Sequence, residues 1–271
     1  MDNRAIAVFD SGLGGLTAVK ELRKILPGED IVFFGDTARV PYGTRSRETI
    51  LQYARQDIRF LLKQDVKFLL AACGTISSTY PTHEAARLPV PYTGVVSCAC
   101  RAAAKATRNG KIGVIGTSAT IRSGSYPAAL RDMDPRYQIT SVACPLFVPL
   151  VENGFFGDHN QVSELVIAQY LEPVKAAGVD TLILGCTHYP LLAPMIARFM
   201  GPQVTLIDVG RETADAVKLA LADLDLLAQP GREGKATYFV SDTTESFAAN
   251  ADIFLGEYAG GRVIQIAIDT Y

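Results

Sequence analysis

Two cysteines carry the strongest chemical signal. Cys73 closes the apolar run Phe68 to Ala72 and is followed by Gly-Thr-Ile-Ser-Ser, while Cys186 closes the run that holds Leu182 to Leu184 and is followed by Thr-His-Tyr-Pro. Small and hydroxylated residues at such a point stop a strand and can turn donors into a crevice. His188, just beyond Cys186, can lower that thiol's pKa when protonated, donate a hydrogen bond to a substrate, or take the thiol proton when neutral. Asp10 has the opposite electrostatics: a carboxylate beside Cys73 disfavours a second negative charge, so it would serve by accepting a proton or a hydrogen bond. Cys98, Cys100 and Cys144 read as small core hydrophobes, the first two in an Ala-rich helical stretch. Metal binding is disfavoured, with only His83, His159 and His188 present and no C-x-x-C or H-x-x-x-H spacing. A cysteine phosphatase is disfavoured too, because Thr79 and Leu192 stand where a phosphate-clamping Arg would follow each cysteine.

Weaker candidates lie elsewhere. The loop DSGLGG, Asp10 to Gly15, opens a helix after a strand but has Thr17 where a dinucleotide fingerprint needs its third Gly. A tight turn, with amides that can hold a carboxylate, is the better reading, and Ser11 adds a hydroxyl at the strand end. VPYGTRS, Val40 to Ser46, reads as a turn into a helix, in which Tyr42 and the Gly43 amide can line a site. GTSAT, Gly116 to Thr120, offers hydroxyls and amides to an anionic group, and Glu152 in LVENG is a carboxylate in an apolar stretch that reads either as a solvated surface group or as one that handles a proton.

These residues need a frame that gathers strand ends. Strand-length apolar runs recur at Ala5 to Phe9, Ile31 to Phe34, Phe68 to Ala72, Thr93 to Val96, Ile112 to Ile115, Ile139 to Ala143, Leu182 to Leu184, Val204 to Ile207 and Thr237 to Val240. Helical patterns lie between most of them. From Ser46 to Gln64, Ile50, Ala54, Ile58, Leu61 and Leu62 form one stripe, opposite Arg47, Glu48, Arg55, Asp57 and Lys63. A second helix is expected from Gln161 to Ala177, with Asn160 as N-cap and Gly178 just past its end, and a third near Arg211 to Ala228. Strands that are apolar throughout, alternating with such helices, imply parallel sheets covered on both faces: an α/β protein. AVFDSGLGGLT and GVIGTSATIRS each read as a strand opening into a small-residue turn, and each is followed by a strand ending in cysteine. Two similar α/β domains related by pseudo-symmetry are therefore expected, with ligands beyond the carboxyl ends of their parallel strands. The expected division is 1–96 plus 209–271 for the first domain and 97–208 for the second.

Composition narrows the field. The 271 residues carry 26 Lys and Arg against 28 Asp and Glu, a formal net charge of −2, which argues against a nucleic-acid partner. No apolar stretch approaches the roughly 18–20 residues of a membrane span. The first residues show no signal-peptide pattern. A cytoplasmic protein with five reduced cysteines is expected.

The ordered segments FDSGLGG, FGDTARVPYG, AACGT, GVIGTSAT, ACPLFVPLVENG and GCTHYP resemble the glutamate racemases of the aspartate/glutamate racemase family. GCTHYP is similar to the glutamate rather than the aspartate members, which usually replace the histidine. The resemblance implies a cofactor-independent and metal-free isomerase that supplies D-glutamate for peptidoglycan, with glutamate as its small-molecule substrate and a homodimeric assembly. It implies an active site in the cleft between the two domains, with Cys73 and Cys186 as two bases, assisted by Asp10, Glu152 and His188. Substrate contacts are implied at Asp10, Ser11, Pro41, Tyr42, Gly43, Gly74, Thr75, Thr117, Thr120, Thr187 and His188. Gly74 departs from the family, which usually has Asn there. Inverting a carbon without an electron sink needs a base on each face, a thiolate to take the proton and a thiol to return one. Asp10 and His188 are expected to bring the thiols towards the working pH. A racemase of aspartate or another small dicarboxylate, and a binding protein on this fold, are the alternatives.

Overall fold

Most of the apolar runs form strands, and every pairing between them is parallel. In the computed structural model, which describes residues 1–256 and 261–271, the strands are β1 (Ala5–Asp10), β2 (Ile31–Gly35), β3 (Val66–Ala71), β4 (Tyr92–Gly94), β5 (Lys111–Gly116), β6 (Gln138–Ala143), β7 (Thr181–Leu184), β8 (Thr205–Asp208), β9 (Ala236–Val240) and β10 (Arg262–Gln265). Among the described residues they make a six-stranded sheet, β10-β9-β2-β1-β3-β4, and a four-stranded sheet, β6-β5-β7-β8. The central strands β1 and β3 are buried along their whole length, as expected where helices cover both faces.

The strand order decides where a site can lie. β1 sits between β2 and β3, with Phe9 opposite both Phe34 and Ala71. β5 sits likewise between β6 and β7. In each sheet the winding reverses between a neighbouring pair, β1 with β3 and β5 with β7, so the connections leave to opposite sides. A crevice opens beyond the carboxyl ends of that pair. The chain passes from the first sheet to the second through the helix Val95–Ala106 and returns through Val209–Asp223, and these two helices pack on each other. One apolar cluster runs from Val8 and Leu70 in the first sheet to Leu182 and Leu184 in the second, so a common core links the two.

Caps fall where side-chain chemistry puts them. Ser46 accepts a hydrogen bond from the Thr49 amide at the start of the helix Arg47–Leu61, and Asn160 accepts from Ser163 at the start of Gln161–Ala176. Gly178 takes φ +69° just past that second helix.

Several expectations need correction. Thr93 to Val96 is not a strand throughout: β4 ends at Gly94, and Val95 and Val96 begin a helix that buries them, an ambiguity inherent in short apolar runs. The helix expected near Arg211 to Ala228 runs from Val209 to Asp223, because the Asp208 carboxylate caps it through the Gly210 and Arg211 amides. Asp57 does not lie on the solvated side of its helix but is fully buried with the apolar stripe. Finally, β10 and the helix Thr244–Leu255 lacked a readable pattern, and they extend the first sheet beyond β9 and cover it.

Candidate active site

The two sheets bring their switch points face to face. Asp10 ends β1 and Cys73 follows β3; across from them, Thr117 follows β5 and Cys186 follows β7. A cavity of about 250 Å³ lies between, lined by both cysteines, by Asp10, Ser11, Gly74 and Thr75 on one side, and by Thr117, Glu152, Thr187 and His188 on the other. The loop Val40 to Thr44 forms a further wall. Both sulfurs belong to free thiols, only 5% and 6% exposed, and they enter the cavity from different sheets.

Each thiol has its own partners. Cys73 Sγ donates to Ser11 Oγ at 3.5 Å, and the buried Asp10 carboxylate accepts from the Gly12 amide at 2.9 Å. Cys186 Sγ lies 3.9 Å from His188 Nδ1, and His188 Nε2 lies 3.1 Å from Glu152 Oε1. The Glu152 side chain is 49% exposed, so the line from Cys186 through His188 to Glu152 leads from the buried thiol towards solvent. The lobes also touch through polar side chains. Thr187 Oγ1 donates to Asp10 Oδ2 at 3.4 Å, and the hydroxyls of Thr75 and Thr117 lie 2.9 Å apart.

Two glycines permit this closeness. A Cβ on Gly14 would overlap the Thr187 hydroxyl and the His188 ring, and a Cβ on Gly74 would overlap the carbonyl oxygen of Gly185. A side chain at position 74 would meet backbone of the other lobe and push the two apart, whereas one at position 14 would displace the Thr187 and His188 side chains.

Electrostatics run against one expectation. Burial pushes the Cys73 thiol up to about 11, and the Asp10 charge adds to the rise, opposed by the hydrogen bond to Ser11. Burial likewise raises Cys186 well above the ordinary thiol range, opposed by a backbone hydrogen bond at His188. Asp10 itself is raised by burial, against the pull of His188 and the Gly12 and Gly15 amides. The protein's own groups therefore hold both sulfurs as thiols rather than drawing them down, because the cost of a buried anion outweighs the nearby donors.

The sequence profile of the Asp/Glu/Hydantoin racemase family matches residues 17–217. The chain belongs to that family. As a racemase it is an isomerase. It is 44% identical over 266 residues to a glutamate racemase of Geobacter metallireducens, an alignment covering 98% of this chain and 97% of the relative. Its fold superposes on the glutamate racemase isoform RacE1 of Bacillus anthracis with a TM-score of 0.93, at 36% identity and 98% coverage of each chain. The glutamate racemase of Francisella tularensis, solved with D-glutamate, gives 0.91 at 37% identity, with both chains fully covered.

Of the residues singled out in the sequence, the racemase brings all but one to the cavity wall: Asp10, Ser11, Pro41, Tyr42, Gly43, Cys73, Gly74, Thr75, Thr117, Glu152, Cys186, Thr187 and His188. Thr120 stands behind the wall, 3.0 Å from Thr117 Oγ1 and 3.4 Å from Thr75 Oγ1, where it holds those hydroxyls in place. Cys144 was expected in the core; it is fully buried but also backs the cavity with Pro145, Val148 and Pro149. Their signal was the position of Cys144 after β6, a strand whose mixed burial hid its likeness to the others. Among the described residues, no group of three His, Cys, Asp or Glu is placed to hold a metal.

Proposed function

We propose that this racemase interconverts L- and D-glutamate by moving a proton between the two faces of the α-carbon, with Cys73 and Cys186 as the two bases. The observation that carries the reading is the pair of free thiols reaching one cavity from different sheets. An α-carbon held between them can lose its proton to one sulfur and receive a proton from the other, and exchanging the roles reverses the reaction. Contact distances of ~3–3.5 Å on each side put the sulfurs roughly 6–7 Å apart around bound substrate.

The raised thiols fit this scheme once the substrate's charge is counted. An α-ammonium group entering beside Asp10 introduces a cation where the protein supplies none, since among the residues lining the cavity no Lys or Arg appears. That cation favours the thiolate. A base therefore forms when substrate is bound and is suppressed otherwise. Asp10 accepts from the ammonium and takes the Cys73 proton. His188, backed by Glu152, does so for Cys186. The backbone amides after β1 and the hydroxyls of Thr75, Thr117 and Thr187 hold the carboxylates as charge develops on them.

The chain acts as two units, 1–96 plus 209–271 and 97–208, closing on the substrate. Among the described residues, no helix is long and apolar enough to cross a membrane. We place the racemase in the cytoplasm as a homodimer that needs neither cofactor nor metal and provides D-glutamate for peptidoglycan.

The test is incubation with L-glutamate in deuterated water without added cofactor, followed by chiral chromatography and mass spectrometry. D-glutamate carrying deuterium at the α-carbon is expected. Cys73→Ala and Cys186→Ala should each abolish interconversion in both directions while keeping the fold. Two-way turnover by either variant would refute the assignment.

A further inference from the structure

Next to the loop Val40 to Thr44, and outside the residues that line the cavity, lies a buried charged cluster that proton transfer does not use. Asp36, just after β2, and Asp57, in the helix Arg47–Leu61, are both fully buried. Arg39 joins them: its Nε lies 2.6 Å from Asp36 Oδ2 and its Nη2 3.2 Å from Asp57 Oδ1. The same guanidinium donates to Gln56 Oε1 at 2.6 Å, lies 3.5 Å from Asp269 Oδ1, and stacks 4.0 Å from the Tyr53 ring centroid. Tyr42 hydroxyl donates to Asp36 Oδ2 and lies 3.4 Å from Asp57 Oδ2. Ser241, following β9, donates to Asp36 Oδ1 at 2.7 Å and accepts from the Ala38 amide at 2.9 Å.

Three other segments, the helix Arg47–Leu61, Ser241 after β9 and Asp269 near the chain's end, thus meet at this turn, which carries the wall of the cavity. Val40, Pro41, Tyr42, Gly43 and Thr44 all line the cavity, and the cluster grips them on both sides, at Arg39 and through the Tyr42 hydroxyl.

We propose that Asp36, Arg39 and Asp57 are positioning residues, which fix the 40–44 wall against the substrate by clamping Arg39 and the Tyr42 hydroxyl. This rests on the reading that substrate occupies the cavity between the cysteines.

Asp36 accepts from Arg39, Tyr42 and Ser241. Burial raises the Asp57 carboxyl well above its ordinary range and the Asp36 charge raises it further, against Arg39 and Tyr42, with a smaller push from Asp10. The buried setting thus favours the protonated form of Asp57. A group protonated in the folded state but not in the unfolded one weakens the fold as pH rises from the ordinary carboxylate range towards its raised value. Asn at position 57 offers the same shape, with an acceptor oxygen and a donor group, and cannot ionise.

The test compares Asp36→Asn, Arg39→Gln and Asp57→Asn in the full-length protein. Arg39→Gln and Asp36→Asn should raise KM for L-glutamate by about 10-fold to 100-fold, the range expected for loss of a polar contact to bound substrate, with kcat changed less. Amide hydrogen exchange should accelerate across residues 37–46. Asp57→Asn, the conservative variant, should raise KM and exchange less than either charge-breaking variant, and its gain in Tm over the parent should be larger at pH 8 than at pH 5. Unchanged KM and exchange in both charge-breaking variants would overturn the proposal, as would an Asp57→Asn variant as impaired as Asp36→Asn. Should Arg39→Gln fail to fold, Asp36→Asn and Asp57→Asn decide. If the parent does not turn over glutamate while exchange and Tm respond as stated, the clamp stands and the substrate assignment falls.

Discussion

Gly74→Ala puts the closeness of the two lobes to a direct test. The added methyl would fall inside the 3.0 Å limit of Cβ contacts at the Gly185 carbonyl oxygen, 3.3 Å from the carbonyl carbon and 3.8 Å from Cys186 Cα. All three atoms are backbone, so no rotamer change relieves the overlap. The Gly185 amide is itself held by Ile115 O at 2.7 Å, which ties it to β5. Relief requires Cys73 and Cys186 to separate, because Gly74 and Gly185 are their immediate neighbours. A misplacement of about 1 Å costs about 100-fold in rate, or roughly 2.7 kcal/mol of transition-state stabilisation. The overpacking costs about 1–3 kcal/mol of stability. The assay is loss of circular dichroism from L- and from D-glutamate, with Tm measured in parallel. Since enantiomers are equal in free energy, kcat/KM must fall by the same factor in each direction. Gly74→Asn, which restores the residue usual in the family, should fare no better, because the backbone leaves its Cβ no room. Activity of Gly74→Ala within threefold of the parent would refute the claim that this contact sets the sulfur separation.

Other expectations follow from the same geometry. With the Cys73 thiol near 11, its alkylation by iodoacetamide, read by peptide mapping, should rise about tenfold per pH unit from pH 7 to 10. Asp10→Asn removes the like charge and should speed that alkylation at pH 8; slower labelling would contradict the assigned sign. Glu152→Gln takes away the carboxylate 3.1 Å from His188 Nε2, and kcat should fall about 10-fold to 100-fold with Tm nearly unchanged, which steady-state kinetics will show. Far from the site, Lys67 and Glu29 form a buried ion pair at 2.5 Å. Lys67→Ala should cost about 3–5 kcal/mol by leaving a buried carboxylate unpaired; a urea melt that moves by less than 1 kcal/mol would count against it.

What the sequence disclosed and what it hid divide by range. Cys73 and Cys186 were legible because each follows an apolar run with residues that stop a strand, a local pattern. Asp57 misled because its helix spacing placed it with charged neighbours, and its burial depends on Arg39 and Tyr42 across the fold. Thr120 looked like a substrate contact from its place in GTSAT, whereas the packing of its hydroxyl against Thr75 on the other lobe puts it behind the wall. β10 was missed because neither Arg262 nor Gln265 suggests a buried strand; an edge position beside β9 lets both stay exposed.

By itself the sequence determined the alternation of strands and helices, the caps, and the side chains able to move a proton, because these follow from neighbours a few residues apart. Only the tertiary structure decided that thiols far apart in the chain share one cavity. It also decided the height of their titration, since the buried setting that raises both is assembled from two sheets and a loop wall, and desolvation depends on everything surrounding a charge.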